Sequence, residues 1–247
     1  MQYAIDFAHA FGARLYLIQV RDKHVKSKAL GDEGNVWERE NLVYIDSLLA
    51  KVDTKTVDIV IKSFNGKLVQ TLELICYTAD IDLMLVQPKT NSVKESIFLG
   101  KTSGKIIKKT NIPSLIIPEN YVFKPVTNVL IAIKSAIIKK ESALLPLQQI
   151  QNQFQAVVNL LLVKTPFYKE GDFEIHSSLS ALITETVYTE KATTFQGVLE
   201  HYNTHEPDLL CVFRRKRGFF AKMWEKNVIL KKDFYSPFPV LVLKGVK

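Results

Sequence analysis

Three short runs in this chain carry residue types that do chemistry. Gly100-Lys101-Thr102-Ser103-Gly104-Lys105 packs glycines, lysines and hydroxyls together as a phosphate-cradling loop does. Its spacing is not that of a P-loop: three residues rather than four separate the glycines, and Ile106 stands where a Ser or Thr is required. What remains is a weaker expectation, an anion held at a helix start by Lys89, Lys101, Thr102 and Ser103 beside Gly100. Helix capping by the same short polar residues is the competing reading. The second run, Arg214-Arg215-Lys216-Arg217, follows an apolar stretch and would grip an anion by side-chain charge. A solvated basic loop is its bland alternative. Phe219, Phe220 and Trp224 follow it at a spacing that fits the buried face of a helix better than base stacking. In the third, His201 and His205 stand four apart on a predicted helix with no evident further ligand, so no metal site is expected. No G-x-S-x-G elbow is present and neither cysteine has a catalytic context, so an enzyme is not expected.

The bulk properties narrow the classes further. The chain has 247 residues, is 47% hydrophobic and carries a net charge of +8. No apolar run reaches the roughly 20 residues of a membrane span, so no membrane partner is expected. The basic excess is uneven, +2 over residues 1–120 and +6 over 121–247. It suits an anionic partner but falls short of a dedicated nucleic-acid face, so nucleic acid is disfavoured. Cys76 and Cys211 lie far apart in apolar surroundings. They read as buried thiols, which fits a reducing cytoplasm.

The elements that must position these residues alternate. In the second half, apolar β-rich runs at 127–134, 156–164, 208–213 and 239–244, with a weaker one inside 180–190, read as strands. Helical spacing at Leu144, Leu147, Ile150 and Phe154 predicts a helix over 141–155, with Pro146 tolerated in its first turn. Further helices are expected over 193–207 and 219–233. Strands alternating with helices mean βαβ units and a parallel sheet. The first half repeats the order. Runs 14–20, 57–63, 82–87 and 113–118 are strands, and 37–52 and 67–80 are helices. Tyr3, Phe7 and Phe11 give an initial helix. The polar segment 21–36 is extra chain, read as a loop.

The two halves are a repeat. Asp82 and Asp208 are 126 positions apart, as are Pro113 and Pro239. Each acidic residue opens an apolar run, and each proline leads another. Before residue 14, however, the first half has only its initial helix, so its first strand is missing. The expectations are a chain whose native start precedes Met1, a strand supplied by a partner, or a different register. In either of the first two cases residues 1–120 alone do not build an ordinary five-stranded sheet, because a missing central strand leaves backbone groups unpaired.

The strand and helix order, the runs IPSLIIP and FPVLVL, and the segment YAIDFAHAFGARLYLIQV together resemble the universal stress protein family. The resemblance covers nearly the whole chain as a tandem pair, domains 1–120 and 125–247. It implies a Rossmann-like α/β fold: two open parallel five-stranded sheets in order 3-2-1-4-5, helices on both faces, the first copy lacking its first strand. It implies a cytoplasmic stress-response protein, of a class that binds ATP or one that does not. The family's phosphate motif, G-x2-G-x9-G-[S/T], falls on Gln87, Thr90, Gly100 and Lys101 in the first copy and on Phe213, Lys216, Lys226 and Asn227 in the second. Only Gly100 matches. The family's Asp at the end of strand one is Lys134 in the second copy. Both nucleotide sites therefore read as lost, and no cofactor is expected.

Family members commonly dimerise through the fifth strand, so the resemblance also implies an internal pseudo-dimer or a homodimer. Leu115, Ile117, Leu241 and Leu243 are the candidates for that edge, unless they only fill each domain's own core. The function expected is non-enzymatic stress adaptation through an unidentified protein or small-anion partner. The alternatives are slow ATP hydrolysis and a basic nucleic-acid module.

Overall fold

Aromatic residues at i, i+4 spacing make the first helix, α1 (Gln2–Ala10). The Tyr3 and Phe7 rings stack 6.2 Å apart and the Phe7 and Phe11 rings 4.6 Å apart, while Phe123 meets Tyr3 edge-on at 5.5 Å. The computed structural model describes residues 1–21, 33–88, 97–214, 229–230 and 235–244. Strands β1 (Leu15–Arg21) and β2 (Ile59–Asn65) pair in parallel, Leu15 opposite Ile59 through Arg21 opposite Asn65. Helix α2 (Glu33–Leu49) lies between them in the chain, and α3 (Leu68–Thr78) follows. α3 buries Leu72, Ile75 and Cys76, the i, i+3, i+4 stripe its sequence predicts. These elements form one compact unit, Met1–Asp80 with Val122–Lys124. Among the described residues β1 has only β2 as a neighbour, and all seven of its residues are half-buried.

The second unit, Ile81–Tyr121 with Pro125–Lys247, is built on one seven-stranded sheet. In chain order it carries β3 (Met84–Val86), β4 (Ile97–Leu99), α4 (Lys101–Lys109), β5 (Ser114–Ile116), β6 (Asn128–Ile133), a 3-10 turn at Glu141–Leu144 and α5 (Leu145–Phe154). Then follow β7 (Val157–Lys164), α6 (Ser177–Ser180), β8 (Glu185–Glu190), α7 (Thr194–His205), β9 (Leu209–Arg214), β10 (Ile229–Leu230) and β11 (Val240–Lys244). The strand order is β3-β5-β11-β9-β6-β7-β8. Five strands of the second half, β6, β7, β8, β9 and β11, are parallel to one another and stand in the order 3-2-1-4-5. β5 joins them antiparallel to β11, and β3 runs parallel to β5. The compact units thus divide the chain differently from the repeat: strands β3 and β5 of the first copy belong to the second copy's sheet.

Continuous apolar runs explain why these strands are central. β6, β9 and β11 are buried along nearly their whole length, the signature of a parallel strand covered on both faces. One face gathers Leu130, Leu161, Val163, Leu210, Val212 and Val242 against Ile107 of α4 and Val198 of α7. Each such side chain contributes about 1.5–3 kcal/mol by leaving water. Asp208 locks the start of the sheet. Its carboxylate accepts from Thr127 N at 2.9 Å, Thr127 Oγ1 at 2.6 Å and Asn128 N at 3.1 Å, so β6 and β9 begin in register.

Local signals hold in several places. Pro146 lies in the first turn of α5, where its missing N–H has no intrahelical partner to lose. Thr193 and Gln196 close a reciprocal capping box on α7. Gly197 lets α7 approach β7: a Cβ there would lie 2.8 Å from Val163 Cγ2. One expectation is corrected. The helix predicted over 219–233 does not include Ile229 and Leu230, which form β10 and pair antiparallel with Leu99 and Ile97; residues 219–228 and 231–233 lie outside the described residues.

Candidate functional site

α4 starts at Gly100, whose backbone is extended (φ −72°, ψ 174°), and no side chain caps its first turn. Lys101 and Thr102 are exposed. Ser103 is buried, and its hydroxyl donates to the Gln87 carbonyl at 3.1 Å, tying the helix start to the carboxyl end of β3. Ser103 therefore positions α4, and the capping role expected for these short polar residues is not the one the hydroxyl takes. The strand before Gly100 is pinned by β10, and Phe98 packs edge-on against Tyr235 with ring centroids 6.1 Å apart. Lys89, Arg215, Lys216 and Arg217 lie outside the described residues.

Arg214 lies at the other end of α4. Its guanidinium donates to the Lys108 carbonyl and to Asn111 Oδ1, the latter at 3.1 Å. Lys244 Nζ donates to the Ile107 carbonyl at 2.7 Å. Nine residues at 1.5 Å per residue separate the helix ends by about 13 Å, so Arg214 does not converge with Gly100, Lys101, Thr102 and Ser103. The anion-gripping role expected of Arg214 gives way to a structural one. A helix C-terminus carries partial negative charge and draws cations to its last carbonyls. Lys244 was not singled out by sequence. Burial, and secondarily the charge of Arg214, push its pKa down to about 7. The one signal available was a lysine closing the apolar run PVLVLK.

The strand order reverses at β6, with β7 and β8 on one side and β9 and β11 on the other. In open α/β sheets ligands settle outside the strand carboxyl ends at that point. Here the backbone after β6 is already engaged. Lys134 is half-buried, Ser135 and Ala136 are buried, and Ala136 N donates to the Asp172 carbonyl at 2.7 Å. Asp172 is held in turn, its carboxylate accepting from Lys169 N at 2.8 Å. The loop after β7 thus supplies, from within the chain, the acceptor that a phosphate oxygen would offer.

The fifth-strand residues come together. Leu115 faces Leu241 directly across the β5–β11 pair, and Ile117 and Leu243 are buried near it at 6% and 0% exposure. His176 has a local role that its sequence did not show: its ring Nδ1 accepts from Ser178 N at 3.3 Å, capping α6. No group of His, Cys, Asp and Glu side chains among the described residues could hold a metal ion. Both cysteines are buried free thiols. Burial pushes the Cys76 thiol up to about 11 and the Cys211 thiol higher still, which makes both poor nucleophiles. No helix among the described residues is long and apolar enough to cross a membrane.

Comparison with known proteins agrees with this architecture. Residues 1–118 match the model of the universal stress protein family. A universal stress protein from Archaeoglobus fulgidus DSM 4304 superposes with a TM-score of 0.64 at 15% identity, over 99% of this chain and 90% of that one. A functionally unknown protein from Pseudomonas aeruginosa PAO1 superposes with a TM-score of 0.53 at 13% identity, over 96% and 84% of the two chains. No curated protein sequence matches the chain.

Proposed function

We propose that this chain, whose residues 1–118 belong to the universal stress protein family, acts in stress adaptation in the cytoplasm by contact with a protein or small anion, without nucleotide turnover. The observation that carries the reading is the hydrogen bond from Ala136 N to the Asp172 carbonyl at the switch point of the large sheet. Backbone N–H groups hold phosphates only when they are free to point at them, and this one is occupied by the chain itself. The residues around it agree. Lys134, following β6, offers no acceptor for a ribose hydroxyl, and Arg214 is committed to the end of α4. In the first copy Gly100 stands without the other glycines of a phosphate loop. Small-anion contact falls to the exposed first turn of α4 at Lys101 and Thr102. The tandem arrangement supports the same reading, because β5 and β11 turn the two fifth strands toward each other.

Calorimetric titration of the full chain with Mg-ATP at near-physiological salt tests the proposal. No binding at millimolar ATP is the expected result. Binding tighter than about 100 μM, roughly −5.5 kcal/mol, would overturn it.

A further inference from the structure

Lys244 is the last residue of β11 and sits directly beside Arg214, the last residue of β9, in their parallel ladder. Both side chains reach the same end of α4. Lys244 takes the Ile107 carbonyl at 2.7 Å, and Arg214 takes the next carbonyl, that of Lys108. Lys244 is only 5% exposed. Among the described residues it has no carboxylate partner. Two cations therefore share one helix end, and one of them is out of water.

Among the described residues, the charges around Lys244 do not offset it. From β9 comes Arg214, which opposes it directly. From α4 come Lys108 and Lys109 in the last turn, both positive. The link 110–113 and strand β5 carry no ionisable side chain. The 3-10 turn, which also touches β11, brings Glu141, which is exposed to solvent. Partial charge on the carbonyls favours the ammonium, whereas burial and Arg214 disfavour it.

We propose that Lys244 is a pH-responsive latch: by taking up a proton as the medium turns acidic, it loosens the seat of α4 on the sheet. As a neutral amine it still donates to Ile107, so the contact survives in the deprotonated state without a buried charge. The direction follows from linkage. Any opening of α4 that wets Lys244 returns the group from about 7 to its ordinary 10.5, so protons favour the open form. For that pair of values the opening constant rises about tenfold between pH 8 and pH 6. The moving part is the helix whose first turn carries Lys101 and Thr102, so the device acts on the exposed polar face described above but stands independently of any ligand there.

Amide hydrogen exchange of the full chain at pH 8, 7 and 6, converted to protection factors for residues 105–110, tests the latch. Wild-type protection is expected to fall about tenfold from pH 8 to pH 6. Lys244→Met should be flat across the range, and Lys244→Arg, charged throughout, should be flat and low. Wild-type protection that does not change, or a Lys244→Met variant that loses protection as the wild type does, would overturn the proposal. An NMR titration of the wild-type Lys244 side chain decides the question even if a variant misfolds. A midpoint near neutrality supports the latch, and one above about pH 9 refutes it.

Discussion

Truncating the two leucines at the centre of the β5–β11 pair is the most direct test of how the halves of this chain are joined. Leu115 and Leu241 are 1% and 0% exposed and lie opposite each other. Each change to alanine removes buried methyl groups and leaves a void, which costs about 2–5 kcal/mol in well-packed cores. Because the two side chains touch across one antiparallel pair, the second truncation removes contacts the first has already lost. The double variant should therefore lose less than the sum of the single variants, by about 0.5–1 kcal/mol. Urea unfolding followed by far-UV circular dichroism provides the four free energies of the cycle. The midpoint should not depend on chain concentration, since the pairing is intramolecular. Additivity within about 0.3–0.5 kcal/mol, or single losses below about 1 kcal/mol, would refute the direct packing of these residues. A midpoint that rises with concentration would assign the edge to a second molecule instead.

Three further outcomes follow from particular contacts. Lys244 holds its proton to pH 10.5 when unfolded but only to about 7 when folded, so the unfolded chain binds more protons between those values. Stability should climb with pH across that window, by about 2 kcal/mol from pH 7 to pH 9, and stay level below it with respect to this group; Lys244→Met should abolish the climb in urea titrations. Asp208→Ala strands Thr127 N and Asn128 N at the start of β6, and should cost about 1.5–3 kcal/mol in the same assay, with Asp208→Asn costing less. Gly197→Ala should destabilise by about 1 kcal/mol: the helix gains roughly that much in propensity, but a Cβ 2.8 Å from Val163 Cγ2 incurs a larger overpacking cost. A rise in thermal midpoint for Gly197→Ala would show that α7 does not sit this close to β7.

Periodicity made the second half readable because its central strands β6, β7, β9 and β11 are buried on both faces. Runs such as 156–164 and stripes such as Leu144, Leu147 and Ile150 leave little choice. The repeat pointed to the fifth strands as equivalent, and Leu115 does meet Leu241. Other features depend on partners far along the chain. Ile97-Phe98-Leu99 is too short a run to declare itself, and it becomes a strand only because Ile229 and Leu230 come alongside. The same nonlocal pairing defeated the helical reading at those two residues. Lys244 ends an apolar strand, where a lysine ordinarily reaches water. Its burial comes from α4, which closes over the strand end from 137 residues away. Arg214 was read from its basic neighbours, whereas its position is set by the two polar acceptors at the end of α4.

The β5–β11 register is unchanged when the two halves exchange places. Leu115 pairs with Leu241, Ile116 with Val240 and Ser114 with Val242. Under the 126-residue offset of the repeat, Leu115 corresponds to Leu241, Ser114 to Val240 and Ile116 to Val242. The pairing therefore maps onto itself when the copies are exchanged, as in a two-fold contact, where a residue change in one copy alters both sides of the interface. Nothing imposes that symmetry beyond the edge. α4 links β4 to β5, whereas residues 235–239, which lead into β11, are non-helical. Among the described residues, the helix end that Arg214 and Lys244 meet is that of α4, on the side of the first copy. The self-matching contact carries no charged residue, with Ser114 opposite Val242 its one polar member, while the end of α4 takes the buried amine of Lys244.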